Sequence, residues 1–213
     1  MNDVLVASEG QHMSDPVAVL IGPPGAGKST VGPLLAALLG AEFAETDAMV
    51  EAEAGKPVSD IFISDGEPVF RELERNAVAQ ALATLPGVVA LGGGAVMDPG
   101  TQQLLAGQRV VYLQTGFVAA SQRVGLDTPR PLLLRNPRAR LRELLNERLP
   151  IYEGLARITV VTDGRDPQEI ADEIAATVTA RIAAAAGEGV GAGAVDDAEE
   201  AIWAAGDEGD AGG

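Results

Sequence analysis

A glycine-rich segment, GPPGAGKST at residues 22 to 30, has the residue types and spacing of a phosphate-binding loop. It matches the pattern G-x-x-x-x-G-K-[ST], follows the apolar run VAVLI and precedes a predicted helix, STVGPLLAALLG. Its glycines let consecutive backbone N–H groups turn toward phosphate oxygens, and the helix N-terminus adds a favourable dipole. Lys28 can reach the β- and γ-phosphates of ATP or GTP, and the Ser29 hydroxyl can ligate Mg²⁺. The expected nucleotide contacts are Gly25, Ala26, Gly27, Lys28, Ser29 and Thr30.

Two acidic residues follow the second predicted strand, in the segment ETDAMVEAEAG. Phosphoryl transfer needs a group that orients or deprotonates the attacking hydroxyl, and Asp47 is the best candidate for that role. Glu45, two residues earlier on the same side of an extended segment, could hold Mg²⁺ through water. The pattern also permits a structural interpretation, in which Asp47 caps the following helix and Glu45 is a solvated acid.

Three consecutive glycines, Gly92, Gly93 and Gly94, follow the apolar run VVAL. Glycine loses more conformational entropy on folding than any other residue, so three together indicate a tight turn or the close approach of a ligand. Ligands of open parallel sheets bind beyond the carboxyl ends of the strands, where these glycines, Asp47 and the phosphate loop would meet. We therefore expect a catalytic cleft at that edge.

Arginines supply the remaining candidates. The segment from Gly125 to Arg142 contains five arginines and three prolines, and this composition predicts a mobile basic loop of the kind that covers active sites. Arg71 lies within a predicted helix, where spacing alone favours a surface arginine paired with Glu67 or Glu74.

The elements that must position these residues alternate between short apolar strands and longer helices over residues 16 to 186. The strand candidates are VAVLI (17 to 21), AEFAET (41 to 46), VVAL (88 to 91), VVYLQ (110 to 114) and ITVVT (158 to 162). Ser64 with Glu67 predicts a capping box before one helix, and Asp166 with Glu169 predicts a start for another. The expected fold is α/β, a five-stranded parallel sheet flanked by helices, with a mobile lid at about residues 125 to 138.

The composition restricts the class of partner. The formal charge of −16 argues against general binding to nucleic acid or anionic membranes. About half of that charge lies in a Gly/Ala-rich tail, residues 187 to 213, which has no basic residue and is expected to be disordered, as residues 1 to 15 are expected to be flexible. No signal peptide or membrane-spanning segment is evident, so we expect a cytoplasmic protein. Nothing in the sequence marks an interface, so we expect a monomer.

Several motifs occur together in an order and spacing typical of one family. They are GPPGAGKST, ETDAMVEAEAGKPVSDIFISDGEPVFRELE, ALGGGAV, RPLL and ERLPIYEGLA, spread over about residues 17 to 180. In this the chain resembles the shikimate kinases, P-loop NTPases of the nucleoside monophosphate kinase-like group. The resemblance implies transfer of the γ-phosphoryl group of ATP to the 3-hydroxyl of shikimate, on the way to chorismate and the aromatic amino acids. The combination of DGEPVFRELE, GGGAV and RPLL is highly specific, whereas many NTPases share the phosphate loop.

The resemblance implies roles at the acceptor end. Asp47 would bind shikimate hydroxyls and act as the base. Arg71 and Arg148 would grip the shikimate carboxylate, which suits their planar guanidinium groups. The bare backbone of Gly92 to Gly94 would bind the acceptor, with the Gly93 N–H as donor, because a side chain there would intrude on it.

The resemblance also implies roles at the nucleotide end. Arg130 in the lid would close on the transferring phosphate beside Lys28, and Arg123 and Arg165 would lie near the adenine. The family usually has aspartate where this chain has Glu45. The longer side chain is expected to preserve Mg²⁺ binding with altered geometry.

Two other functions remain open. Another small-metabolite kinase of this architecture, such as a gluconate or nucleotide kinase, would share Lys28 and Ser29. It would have no evident need for two arginines and three glycines around a small acid. A nucleotide-dependent switch would keep the phosphate loop, but it would need no acceptor base such as Asp47.

Overall fold

The computed structural model describes residues 16–124 and 137–188. Within them, five parallel strands form one sheet in the order β2-β3-β1-β4-β5, which confirms the predicted fold class. The strands are β1 (Ala18–Ile21), β2 (Phe43–Glu45), β3 (Val88–Ala90), β4 (Val110–Gln114) and β5 (Ile158–Val161). The second predicted strand is shorter at both ends, and its C-terminal end is shorter because the next helix already begins at Thr46.

Eight helices and one 3₁₀ turn connect and follow the strands in these described ranges. They are α1 (Lys28–Leu39), α2 (Thr46–Ala54), α3 (Val58–Ser64), α4 (Glu67–Thr84), the 3₁₀ turn Ala95–Met97, α5 (Pro99–Leu105), α6 (Phe117–Arg123), α7 (Pro137–Leu155) and α8 (Pro167–Glu188). No helix in the described part of the chain is both long and apolar enough to cross a membrane.

The chain divides into two compact units, residues 1–178 and 179–213. The first unit contains the whole sheet, and the described part of the second is the C-terminal end of α8. The predicted flexible segment 1 to 15 lies outside the described residues. So do most of the predicted lid, including Arg130, and nearly all of the acidic tail.

The three central strands, β3, β1 and β4, are buried on both faces, which explains why they are continuous apolar runs rather than alternating patterns. Successive side chains point to opposite faces. Leu20 and Leu113 pack in the core on one face, with residues of α1 and α8, whereas Ile21 and Tyr112 pack on the other, with residues of α4 and α7. The strands are therefore fixed from both sides.

The register aligns the ends of three strands at one edge. Leu20 of β1 and Glu45 of β2 both pair with Ala90 of β3. Three segments therefore reach the same edge of the sheet: the phosphate loop after β1, Asp47 after β2 and the glycines after β3. This placement was the basis of the predicted cleft.

The helix starts differ from the sequence prediction in one case. The prediction of a capping box at Ser64 and Glu67 is wrong. Ser64 ends α3, where its hydroxyl donates a 2.7 Å hydrogen bond to Asp60 O. Gly66, with φ of 89°, precedes α4 without a side-chain cap. The start of α8 is confirmed, because the Asp166 carboxylate accepts a 2.8 Å hydrogen bond from Gln168 N.

Candidate active site

A cleft of about 430 Å³ opens where the phosphate loop, the start of α2 and the glycine segment meet. Its walls include nine residues that the sequence singles out: Gly25, Gly27, Lys28, Ser29, Thr30, Glu45, Asp47, Gly93 and Arg123. The structure therefore brings nucleotide-binding, acidic and acceptor candidates into one space. That volume suits a small-molecule site.

The phosphate loop has the backbone that its glycines predict. Gly22, Gly25 and Gly27 all adopt positive φ, at 147°, 80° and 99°. A Cβ atom on Gly22 would lie 2.6 Å from Leu113 O, and one on Gly25 would lie 2.8 Å from Ala120 O. Only glycine fits at these two positions, since both the conformation and the space exclude a side chain.

Lys28 lies folded over the loop that precedes it. Its ammonium group donates hydrogen bonds to Gly22 O at 2.7 Å and Pro23 O at 3.2 Å. Burial lowers the pKa of Lys28 to about 8, although Asp47 and Glu45 raise it. The group therefore stays mainly protonated at neutral pH, and a bound phosphate would stabilise that charge further.

Ser29 and Glu45 together could take a divalent cation. The Ser29 hydroxyl donates to Glu45 Oε1 at 2.5 Å, which joins the start of α1 to the end of β2. The described residues contain no group of three or more His, Cys, Asp or Glu arranged around a metal ion. A hydroxyl with one carboxylate fits Mg²⁺, which usually keeps several waters and takes other ligands from substrate phosphates.

Asp47 lies in the first turn of α2. The predicted extended segment from Glu45 to Asp47 is therefore wrong. The capping interpretation of Asp47 is wrong as well, because Glu45 occupies the capping position and makes no side-chain hydrogen bond there. Burial raises the pKa of the Asp47 carboxyl group, although Lys28 lowers it. A partly buried carboxylate with a raised pKa beside a phosphate loop suits a general base.

The glycine segment is explained by close approach rather than by a left-handed turn. None of Gly92 to Gly94 has positive φ. A Cβ atom on Gly92 would overlap Asp47 Oδ1 and lie 2.9 Å from Glu74 Oε1, and one on Gly94 would lie 2.6 Å from Arg71 Nη1. The expectation that side chains here would intrude on the acceptor stays a prediction; at Gly92 and Gly94 a side chain would also meet the protein's own Asp47, Glu74 and Arg71.

Arg71 reaches the glycine segment from α4 and is held by two carboxylates. Its guanidinium group pairs with Glu74 at 2.7 Å and with Glu67 at 3.1 Å, as helical spacing predicts. Glu74 is only 3% exposed, and its burial raises its pKa, although Arg71 lowers it. Glu67 and Glu74 therefore hold the Arg71 guanidinium group beside Gly94, so Arg71 is oriented rather than free on the surface.

Arg148 approaches the same segment from α7. Its Nη1 donates a 2.8 Å hydrogen bond to Gly93 O. Its Nε is buried and has no hydrogen-bond partner in the described structure. An unpaired buried donor is costly, by about 1–3 kcal/mol. This donor is therefore suited to an acceptor group on a ligand.

Two site contacts come from residues that the sequence analysis did not single out. Thr46 is fully buried, and its hydroxyl accepts a 3.0 Å hydrogen bond from Gly92 N. The Tyr152 hydroxyl donates to Gly93 O at 2.6 Å. Tyr152 stands four residues after Arg148, on the same face of a helix, and that spacing was the available signal.

Of the two arginines expected near the adenine, Arg123 lines the cleft and Arg165 does not. Arg123 lies in the cleft wall and donates to Gly25 O at 3.2 Å and to Thr162 O at 2.7 Å. Arg165 pairs with Glu173 at 2.7 Å and is absent from the cleft lining within the described residues.

Comparison with known proteins gives one family consistently. The family model "Shikimate kinase" matches residues 24–179. A shikimate kinase of Thermobifida fusca (strain YX) is 62% identical over 162 residues, which cover 76% of this chain and 94% of that protein. One of Salinispora arenicola (strain CNS-205) is 57% identical over 165 residues, covering 78% and 99%.

Solved structures agree. A structure titled shikimate kinase from Acinetobacter baumannii in complex with shikimate matches with a TM-score of 0.74 and 35% identity, over 80% of this chain and 96% of that one. A gluconokinase from Sinorhizobium meliloti 1021 matches with a TM-score of 0.52 and 20% identity, over 84% and 98%, a likeness of fold alone. The family resemblance is confirmed: this chain belongs to the shikimate kinases, a family of ATP-dependent phosphotransferases.

Proposed function

We propose that this chain transfers the γ-phosphoryl group of ATP to the 3-hydroxyl of shikimate, giving shikimate 3-phosphate and ADP on the pathway to the aromatic amino acids. One observation carries the proposal. A single cleft places the Asp47 carboxylate between a phosphate loop and a glycine segment that Arg71 and Arg148 flank. That arrangement suits a small hydroxylated acid facing a nucleoside triphosphate.

The acceptor end has the chemistry that binds a carboxylate. The orphaned Nε donor of Arg148 and the guanidinium group of Arg71 lie at Gly93 and Gly94. Guanidinium groups bind carboxylates through charge-assisted hydrogen bonds in a fixed geometry. The bare backbone of Gly92 to Gly94 would lie against the ring, with the Gly93 N–H as donor.

The donor end would hold ATP through the residues of the phosphate loop. Backbone N–H groups from Gly25 to Thr30 and the N-terminus of α1 would bind phosphate oxygens. Lys28 would exchange its bonds to loop carbonyls for the β- and γ-phosphates. Arg123 lies in the same wall. The roles of Arg130 on the transferring phosphate and Arg165 near the adenine stay predictions.

Ser29 and Glu45 are the proposed protein ligands for Mg²⁺, with Glu45 acting directly or through water. The ion would neutralise charge on the β- and γ-phosphate oxygens of ATP. Glu45 replaces the family's usual aspartate, and its contact with Ser29 supports retention of the site.

In the reaction, Asp47 would orient the 3-hydroxyl and accept its proton as the oxygen forms a bond to the γ-phosphorus. The bond between that phosphorus and the bridging oxygen to the β-phosphate breaks, and ADP leaves with the bonding electrons. Lys28 and Arg130 would stabilise the charge that develops on the phosphate oxygens. Burial raises the pKa of Asp47, which makes its carboxylate a stronger proton acceptor.

We further propose that the protein acts as a monomer in the cytoplasm, without nucleic-acid or membrane partners. The strongly acidic composition supports the lack of anionic partners.

A coupled ADP-release assay tests the proposed reaction. Purified protein with ATP and Mg²⁺ is given shikimate, gluconate or a nucleoside monophosphate in parallel. We expect strong stimulation by shikimate alone, and loss of it when Mg²⁺ is chelated. Stimulation by gluconate or a nucleotide in place of shikimate would refute the proposal, and so would ATP binding without any stimulated turnover.

A further inference from the structure

The carbonyl group of Gly93 accepts two hydrogen bonds, both from side chains of α7. One comes from the Tyr152 hydroxyl at 2.6 Å, and the other from Arg148 Nη1 at 2.8 Å. The sequence separation is more than fifty residues in each case. Two side chains of helix α7 therefore hold the peptide group between Gly93 and Gly94.

Tyr152 is itself rigidly placed. It is only 1% exposed, and its ring stacks on that of Tyr112 with centroids 5.2 Å apart and an interplanar angle of 15°. Burial raises the pKa of Tyr152 to about 12. The hydroxyl therefore remains a protonated donor over the whole working pH range.

The other peptide groups of the glycine segment are held differently. Ala95 N donates to Gly92 O at 3.1 Å and Met97 N donates to Gly94 O at 3.0 Å, both within the local 3₁₀ turn. Gly92 N is held by Thr46. In the described structure, the Gly93 carbonyl thus depends on α7 for its hydrogen bonds.

A peptide group is planar and almost always trans, so fixing the Gly93 carbonyl also fixes the opposite direction of the Gly94 N–H. Glycine has more conformational freedom than any other residue, and neither neighbour of this peptide has a side chain to restrict it. A clamp on the carbonyl therefore removes freedom that the binding of an acceptor would otherwise have to remove.

We propose that Tyr152 is a positioning residue for the acceptor: it clamps the Gly93–Gly94 peptide and frees Arg148 to bind the substrate. The inference rests on the proposed function. Arg148 alone would have to divide its donors between the Gly93 carbonyl and a substrate carboxylate. With Tyr152 on the same oxygen, that carbonyl stays satisfied when Arg148 reorients toward the ligand.

The test is Tyr152→Phe, with Tyr112→Phe as the matched control. Each change removes a single phenol oxygen from the same stacked pair, and only the first removes the bond to Gly93. We expect the shikimate KM of Tyr152→Phe to rise roughly three- to tenfold, the effect of one hydrogen bond. The ATP KM should change less than about twofold, and Tyr112→Phe should leave both constants near wild type.

Two further readouts separate positioning from a merely structural role. In the ligand-free protein, the Gly94 amide resonance should shift in Tyr152→Phe and not in Tyr112→Phe. Combining Tyr152→Phe with Arg148→Lys should give a non-additive effect on shikimate KM, because both residues act on one oxygen.

An unchanged shikimate KM in Tyr152→Phe, or an equal rise in the KM values of both substrates, would overturn the inference. So would an unmoved Gly94 resonance. These outcomes differ from failure of the proposed reaction, in which the wild-type protein itself shows no shikimate-dependent ADP release.

Discussion

Replacing Gly92 by alanine tests whether the glycine segment is bare because the catalytic carboxylate lies against it. The new Cβ atom would overlap Asp47 Oδ1 and lie 2.9 Å from Glu74 Oε1. Non-bonded heavy atoms prefer separations of roughly 3.5 Å. The Asp47 carboxylate must therefore retreat by about 1 Å, away from the phosphate loop or out of its rotamer.

The size of the effect can be worked out from that displacement. A misplacement of about 1 Å in a reacting constellation can reduce the rate on the order of 100-fold. The atoms nearest to the added Cβ belong to Asp47 and Glu74 rather than to the phosphate loop, so ATP affinity should stay near wild type. Strain from the overlap should lower the free energy of unfolding by about 1–3 kcal/mol. We therefore expect a large loss of kcat in a folded, ATP-binding protein.

The assay is shikimate-dependent ADP release, with ATP binding measured separately by calorimetry. Gly154→Ala is the matched control, because it adds the same methyl group to α7 where nothing lies within 4 Å. That variant should keep wild-type kcat and gain slightly in stability. Wild-type kcat in Gly92→Ala would show that Asp47 and the glycine backbone do not share a critical contact, and the explanation of the segment would fail.

The site supports three other predictions. Asp47→Asn should reduce kcat by orders of magnitude while ATP binding stays nearly intact, and an unchanged kcat would exclude Asp47 as the base. Arg71→Ala should raise the shikimate KM at least tenfold, about 1.4 kcal/mol, by leaving a carboxylate unpaired. Arg75→Ala, one helical turn later and 47% exposed in its side chain, should leave the shikimate KM unchanged. Equal shikimate KM values in the two variants would mean that Arg71 does not bind the carboxylate. Because burial lowers the pKa of Lys28 to about 8, kcat/KM for ATP should fall above that pH as the free enzyme loses its ammonium charge. Asp47→Asn should shift this limb of the pH profile to lower pH, since Asp47 raises the pKa of Lys28, and a profile flat to pH 10 would contradict this.

The phosphate loop and the sheet were predictable because their signals are local. Gly22 and Gly25 need backbone conformations and space that only glycine permits, and a buried parallel strand requires an apolar run. The start of α2 was less predictable, because an acidic residue between a strand and a helix can be a cap or lie in the first turn. The structure places Asp47 in the turn, and this keeps its carboxylate available.

The acceptor end was only partly predictable, because its contacts link distant segments. Gly92 N reaches Thr46 across 46 positions, and the Tyr152 hydroxyl reaches Gly93 O across 59. A threonine in a short helix signals no such contact, and for the tyrosine the available signal was its position four residues after Arg148. The family resemblance supplied Arg71 and Arg148, and helical spacing offered Glu74 as a partner of Arg71, but neither indicated that Glu74 is buried.

The arrangement of charges explains how so acidic a chain can bind two anions. Charges separated by more than about 8 Å at the surface are largely screened at physiological ionic strength, so the formal charge of −16 has little influence inside the cleft. There, burial disfavours both the charged form of Lys28 and that of Asp47. Lys28 donates to loop carbonyls and Arg71 pairs with Glu74, whereas the buried Arg148 Nε has no partner in the described structure. Phosphates would replace the loop carbonyls on Lys28, and a substrate carboxylate would bind Arg71 and Arg148 while Glu74 keeps Arg71 oriented. The bound anions should therefore stabilise the charged forms of the buried cations. Asp47 would remain as the carboxylate that faces the reacting hydroxyl.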